Sequence, residues 1–233
     1  MKYQKIVEAL FIERPNRFIA YAKLKNEIVK CHVKNTGRCK ELLIPNVTKV
    51  YLEDNGDNPN RKTRYSLVTV EKGNRMINMD SQAPNVIAQE WLEGGNLWKD
   101  IICVKREVKY HNSRFDIYYE RKENDKLIKG FVEVKGVTLE EDNVVKFPDA
   151  PTQRGVKHIE ELIRAKKEGY EANILFVVQM EKVSHFEPNI KTHKEFGEAL
   201  KIAKEEGVNI MAIDCKVTAN EVLPNNRVCI VIK

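Results

Sequence analysis

The stretch "SRFDIYYERKENDKLIKGFVEVKGV", residues 113–137, decides the fold of the larger part of the chain. Two apolar runs flank a charged loop, the pattern of two antiparallel strands. Each run nevertheless carries polar residues: Asp116 in the first, Glu133 and Lys135 in the second. Side chains alternate across a strand, so Arg114, Asp116 and Tyr118 share one face while Phe115, Ile117 and Tyr119 take the other. In the second strand Glu133 and Lys135 share a face, opposed by Val132 and Val134. Because the strands are consecutive, Asp116 is expected beside Glu133 as a cross-strand neighbour. Two carboxylates that close repel one another unless something positive sits between them. Mg²⁺ or Mn²⁺ suits that place, since hard divalent ions accept oxygen ligands and keep waters in the rest of the shell. Lys135 then adds positive charge near an attacking water or near the phosphate that gains charge in the transition state. The plainer alternative is a Glu133–Lys135 ion pair on an exposed strand face, with Asp116 solvated.

Outward from this pair, the surroundings read as α/β. "PNVIAQEWLEGG" opens with Pro84 and closes on Gly94-Gly95, the punctuation of a helix. Strands are expected at "IICVKREVKY", "SRFDIYY" and "GFVEVKGV", a helix at "TQRGVKHIEELIRAKKEG", and a strand buried on both faces at "ANILFVVQM". A further helix at "THKEFGEALKIAKEEG" and strands at "VNIMAID" and "RVCIVIK" complete the part. The loop "VTLEEDNVVKFPDAPTQRG" brings Asp149 and Thr152 to the start of a helix, where either can cap it. On that helix Arg154 and His158 are four apart and share a face, and the helix N-terminus favours an anion. The pair suits a phosphate, although Arg154 serves equally as a surface residue.

The first third is different. "RFIAYAKL", "EIVKCHV", "KVYLED", "YSLVTV" and "RMINMD" are short strands separated by turn clusters such as "EDNGDNPNRK". Such a run favours a small barrel, compatible with an OB-fold. Between the second and third lies "KNTGRCKELLIP", with a helical turn expected from Lys40 to Leu43. Residues 1–82 hold 16 Lys and Arg against 9 Asp and Glu, a surplus of 7, whereas the other 151 residues hold 24 against 25. A basic domain is what counterion release from a polyanion rewards, so nucleic acid is the expected partner class, with Arg38 among the candidate phosphate contacts. Phe18, Tyr21, Tyr51 and Tyr65 are either stacking surfaces for unpaired bases or barrel core.

The 233 residues carry no run of about 18 apolar side chains and no secretory signal at the start, so a cytoplasmic protein without membrane association is expected. Five scattered cysteines without a CxxC pair suggest neither a disulfide framework nor a zinc knuckle. Walker A, Rossmann-glycine, HExxH and GxSxG elements are all absent, which excludes the common nucleotide-dependent, zinc-protease and serine-hydrolase classes.

The order Asp, then Glu-x-Lys in the following strand, resembles the PD-(D/E)xK nuclease core. The strings "RPNRF", "HVKNTGRCKELL", "RKTRYSLV", "EVKYHNSRFDI", "FVEVKGVTL" and "FPDAPTQRGVKHIEEL" run in order from about Arg14 onward and closely resemble the sugar fermentation stimulation protein A family. That resemblance implies an N-terminal OB-like five-stranded β-barrel over residues 1–82, followed by a PD-(D/E)xK restriction-endonuclease-like α/β domain over residues 83–233. It implies sequence-nonspecific DNA binding and a role in regulating maltose metabolism. It places Asp116, Glu133 and Lys135 on the nuclease-like triad, and Arg114, Asp149, Thr152, Arg154 and His158 on surrounding motif positions. Gly136 stands where the family often has Ser. An active Mg²⁺-dependent nuclease on DNA or RNA is the alternative to a binding protein without turnover.

Overall fold

The computed structural model of the chain describes residues 1–232. Six strands come first: β1 (Ile6–Asn16), β2 (Ile19–Leu24), β3 (Glu27–Val33), β4 (Lys49–Asp54), β5 (Tyr65–Lys72) and β6 (Arg75–Asn78). They lie in the order β3-β2-β1-β4-β5-β6, and a parallel pairing of β3 with β5 from Cys31↔Tyr65 to Val33↔Leu67 closes β1–β5 into a barrel. The reading from sequence begins this barrel at Arg17 and therefore takes β2–β6 as its strands. In the structure β1 belongs to the barrel and β6 is an extension of β5. Register shifts between Phe11 and Glu13 and between Glu13 and Asn16 break the two-residue alternation of β1, which hides it. The helical turn expected at Lys40 to Leu43 is a hydrogen-bonded turn, with the Leu42 and Leu43 N–H groups both donating to the Cys39 carbonyl.

The second part begins with α1 (Ala83–Glu93), β7 (Ile101–Tyr110), β8 (Ser113–Glu123) and β9 (Lys126–Val137). A hairpin follows, β10 (Leu139–Glu141) and β11 (Val144–Phe147), then α2 (Gln153–Lys167), β12 (Glu171–Val178), β13 (His185–Pro188) and α3 (Lys194–Glu205). The chain closes with β14 (Asn209–Val217), β15 (Val222–Arg227) and β16 (Cys229–Ile230). The main sheet has the order β15-β14-β12-β9-β8-β7, with β9, β12 and β14 parallel and the outer strands antiparallel. Val132 and Val134 join Ile87, Ala88 and Trp91 of α1 in one apolar cluster, while Phe131 packs with Ile159 and Leu162 of α2 and Leu200 of α3 in another. The sheet is thus covered on both faces. Glu133 and Lys135 point to the α2 side.

A small sheet, β10-β11-β13-β16, flanks the main one, its Phe186 stacked 4.0 Å from Phe176 of β12. Its first two strands lie where a loop is expected. Asp142 and Asn143 both take positive φ, the two-residue turn that matches the twist of a hairpin. The expected C-terminal strand is only β16, and "VLPNNR" forms β15, an edge strand, where Pro is tolerated.

The barrel and the α/β part are joined closely. One apolar cluster runs from Val50 and Leu67 in the barrel to Phe176 and Ile159 beyond it. Gln179 Nε2 donates to the Asn78 carbonyl, the Asn78 Oδ1 and the Asp80 carbonyl at 2.9–3.1 Å. The first residues are stitched to the last turn of the main sheet, Tyr3 N–H donating to the Asn220 carbonyl at 2.8 Å and Lys2 bridging Glu221. No helix among the described residues is long and apolar enough to cross a membrane.

Candidate metal and phosphate site

The β8–β9 ladder ends at Ile117↔Val132. Beyond it the two strands diverge: the start of β8 stays with β7 from Tyr110↔Ser113 to Val108↔Phe115, and the end of β9 stays with β12 from Glu133↔Ile174 to Val137↔Val178. Asp116 and Glu133 are the first residues past the last pair, so they stand at the crotch of a fork. Such a crevice at the carboxyl ends of parallel strands is where open α/β sheets take their ligands. Val134 N–H, which has lost its ladder partner on β8, donates instead to Asp116 Oδ2 at 2.8 Å. Asp116 Oδ1 accepts from Asn85 Nδ2 of α1 at 3.0 Å. Phe115, expected on the face of Ile117 and Tyr119, packs with Tyr110 and Phe131 on the α2 side, because β8 turns as it leaves β9.

Glu133 is 1% exposed. Its Oε1 accepts from Lys135 Nζ at 2.5 Å and from His158 Nδ1, while its Oε2 is buried without any hydrogen-bond partner. His158 Nε2 accepts from Arg154 Nε at 3.3 Å, so the imidazole is held as the Nδ1–H tautomer between the two. Burial pushes the Glu133 carboxyl up, but the hydrogen bond from His158 and the charge of Lys135 outweigh it and its pKa lies below the usual carboxylate value. Burial pushes Asp116 up, and the neighbouring Glu133 charge adds to the rise. Of the plainer alternative the Glu133–Lys135 ion pair holds, but not the exposed face: Glu133 is buried, and Lys135 and Asp116 are half-buried.

Among the described residues no three His, Cys, Asp or Glu side chains converge as a metal cage. A divalent ion that keeps its waters does not need one. The bare Oε2 of Glu133, with Asp116 close enough that the Glu133 charge opposes its ionisation, fits a cation of that kind.

The other expected residues divide. Thr152 is the N-cap of α2, its Oγ1 accepting from Gly155 N–H at 3.0 Å, so the cap is Thr152 and not Asp149. Asp149 is exposed and lies against the barrel loop: a Cβ on Gly37 would fall 2.4 Å from its Oδ2, so a larger residue there would push the Asp149 side chain aside. Arg154 is exposed at the start of α2 with its terminal nitrogens free. Arg38 is exposed on the barrel side of a cleft that Thr152 lines from the other side. Arg114 is not part of the site, because its guanidinium lies on the surface against Glu107 at 3.5 Å. His158 is not a phosphate contact in this arrangement but the partner of Glu133. Asn85, which fixes Asp116 from another element, was not singled out, and nothing in its local sequence points there. At Gly136 a Cβ would meet Pro84 Cγ at 2.7 Å and Gln179 Oε1 at 2.8 Å, so a Ser there would require both to shift.

Two family models match the chain: the SfsA N-terminal OB domain over residues 12–79, and the sugar fermentation stimulation protein RE domain over residues 82–221. A sugar fermentation stimulation protein homolog of Clostridium beijerinckii is 60% identical over 222 residues, covering 95% of this chain and 96% of its own length. The homolog of Ruminiclostridium cellulolyticum is 58% identical, with 93% of each chain covered. Among solved structures, Pyrococcus furiosus SfsA in complex with Ca²⁺ superposes with a TM-score of 0.86 at 29% identity, covering 100% of this chain and 98% of that one. The chain belongs to the sugar fermentation stimulation protein family.

Proposed function

We propose that this family member binds DNA through its phosphates without reading sequence, and that the β8–β9 fork is a divalent-metal site for phosphodiester hydrolysis. The observation that carries the reading is the buried Glu133 carboxylate, fixed through one oxygen and bare at the other, next to Asp116 and Lys135. Asp116 and Glu133 would hold Mg²⁺ or Mn²⁺, which when bound polarises a phosphoryl oxygen and makes a water more acidic. His158 and Lys135 fix Glu133 through Oε1 and leave Oε2 bare. Asn85 and the Val134 N–H fix Asp116, one at each oxygen, so a metal there would take a second lone pair. Lys135 keeps a positive charge beside the place where the phosphate gains negative charge. Arg154 and the N-terminus of α2 offer the flanking phosphate a guanidinium and free backbone N–H groups. The Ca²⁺ complex of the Pyrococcus relative supports a site for hard divalent ions in this fold.

A second reading is binding without turnover, the form in which the protein would regulate sugar, and specifically maltose, metabolism through DNA. The observation favouring it is that Glu133 Oε1 already accepts from both Lys135 and His158, which satisfies half of the carboxylate with the chain's own cations and donors. One experiment separates the readings. Wild-type protein and its Glu133→Ala variant are incubated with labelled single- and double-stranded DNA and RNA and with Mg²⁺ or Mn²⁺, and bound and cleaved fractions are scored together. Cleavage by the wild type alone establishes the hydrolase. Equal binding with no cleavage by either leaves the regulator.

A further inference from the structure

Where the barrel meets the α/β domain the surface is a cleft of about 590 Å³. Its barrel wall is the β1–β2 turn and the loop after β3. Arg14 binds these together, donating to the carbonyls of Arg17, Asn35, Gly37 and Arg38 at 2.6–3.1 Å. Its other wall is the segment from Phe147 to Thr152 that leads into α2. Thr36, Gly37, Phe147 and Asp149 also line a second cleft of about 180 Å³, which reaches Gly136, one residue from Lys135. The two share these walls and together form a track from the barrel surface to Gly136 on β9.

Three exposed cations line the outer part, Arg17, Arg38 and Lys40, and among the described residues none has an ion-pair partner. Beside them Phe18 is 51% exposed, with the Arg17 guanidinium 5.8 Å from its ring centre. Half of the Phe18 surface is open to water, one residue along the chain from the cleft-lining Arg17. An aromatic face beside a basic groove is the means by which barrels of this kind hold unpaired bases. A base inside a duplex has both faces covered and cannot use it.

We propose that this interdomain track takes single-stranded nucleic acid, a base stacking on Phe18, phosphates on Arg17, Arg38 and Lys40, and the strand passing Asp149 and Thr152 to the β8–β9 fork. The proposal rests on the functional reading above and names its substrate form. Asp149 is the only carboxylate lining the outer cleft, so its charge opposes the passing strand and limits affinity.

The test is fluorescence anisotropy of the whole chain with a labelled oligothymidylate, an oligouridylate and a mixed-sequence duplex of equal length, in EDTA so that turnover does not intervene. The single strands are expected to bind about tenfold or more tightly than the duplex. Phe18→Ala should weaken single-strand binding about tenfold and leave duplex binding unchanged. The triple Gln variant of Arg17, Arg38 and Lys40 should lower the slope of log affinity against log salt by about 2, and Arg38→Gln alone by about 0.7, which keeps the test valid if the triple variant folds poorly. Asp149→Asn should tighten single-strand binding. Duplex binding equal to or tighter than single-strand binding overturns the proposal, as does an unchanged salt slope in Arg38→Gln. Failure of the wild type to bind any nucleic acid sinks the functional reading as well. Binding to the track without cleavage in Mg²⁺ or Mn²⁺ sinks only the hydrolase, and cleavage of duplex that is indifferent to the track variants sinks only the track.

Discussion

Glu133 and Glu140 lie seven residues apart and are both buried, yet they are held in opposite ways. Glu140 is saturated: Oε2 takes Lys72 Nζ at 2.5 Å, and Oε1 takes Arg75 Nη1 at 3.0 Å and Asn143 N–H at 2.6 Å. It fastens the small sheet to the end of the barrel. Glu133 is pinned through Oε1 alone and keeps Oε2 bare. A carboxylate whose two oxygens are both neutralised by the chain's own cations, as in Glu140, supports structure. One left half open buries an unpaired acceptor at a cost that a cation from outside would relieve. Burial alone does not distinguish the two residues; saturation does.

That contrast can be broken at either glutamate. The largest effect expected is at the fork, where Glu133→Ala should slow metal-dependent cleavage by about 10³-fold, the scale of losing one preorganised electrostatic group, with single-turnover rates as the readout. Binding should be unaffected. Glu133→Gln also takes the partner of the part-buried Lys135 and should lower the melting temperature, as at Glu140, so loss of cleavage and of divalent-ion affinity, not loss of stability, is what separates the two glutamates. Next comes His158→Gln, which should reduce activity or divalent-ion affinity by about 10- to 100-fold, as loss of a ligand-orienting partner does. Titration of Ca²⁺ or Mn²⁺ by calorimetry measures the affinity independently of turnover.

Glu140→Gln should leave cleavage intact and cost about 2 kcal/mol of stability, because Lys72 and Arg75 lose a buried partner and Lys72 is only partly shielded from water. For a chain of this length that is a drop of about 4–8 °C in melting temperature. The same residue gives a pH signature. Burial raises the Glu140 carboxyl, but the hydrogen bond and charge of Lys72 and the bonds from Asn143 and Arg75 more than reverse it, so its folded pKa lies below 4.5. Its contribution is therefore complete above the unfolded value and disappears as pH falls through the lower folded one. Melting curves between pH 3 and 6 should show this loss in the wild type and a flatter profile in Glu140→Gln. The smallest effect expected is for Thr152→Ala, about 1 kcal/mol from loss of the α2 cap, seen equally in stability with and without metal.

Much of the fold was legible where one physical rule governs a segment. The apolar run of β12 and the alternation in β9 announce themselves because each strand is covered in a uniform way. β1 escaped because bulges shift its register, and β15 because Pro224 and two asparagines look like a turn when an edge strand is free to carry them. The β10–β11 hairpin was readable in principle from Asp142-Asn143. Within the site, strand alternation was enough to put Glu133 and Lys135 on one face, where they pair, with Asp116 on the preceding strand. It could not show that β8 and β9 part at that very point, nor that Asn85 and His158 come from separate helices to hold the two carboxylates. Arg114 shares the strand face of Asp116 in sequence, yet its longer side chain reaches the surface and Glu107.

The contact of Tyr3 with Asn220 has a consequence in time. On a ribosome adding about 5–20 residues per second, roughly 10–40 s separate the synthesis of one from that of the other. The barrel strands are complete long before then, and with them the partners of Tyr3, Gln4 and Lys5 at Asn78, Glu53 and Asp54, but the backbone partners of Met1, Lys2 and Tyr3 at Val222, Glu221 and Asn220 wait for the last turn of the main sheet. A nascent chain halted in that interval carries a closed barrel whose first three residues lack their final backbone pairing, and protease accessibility there would report how much of the chain has been made.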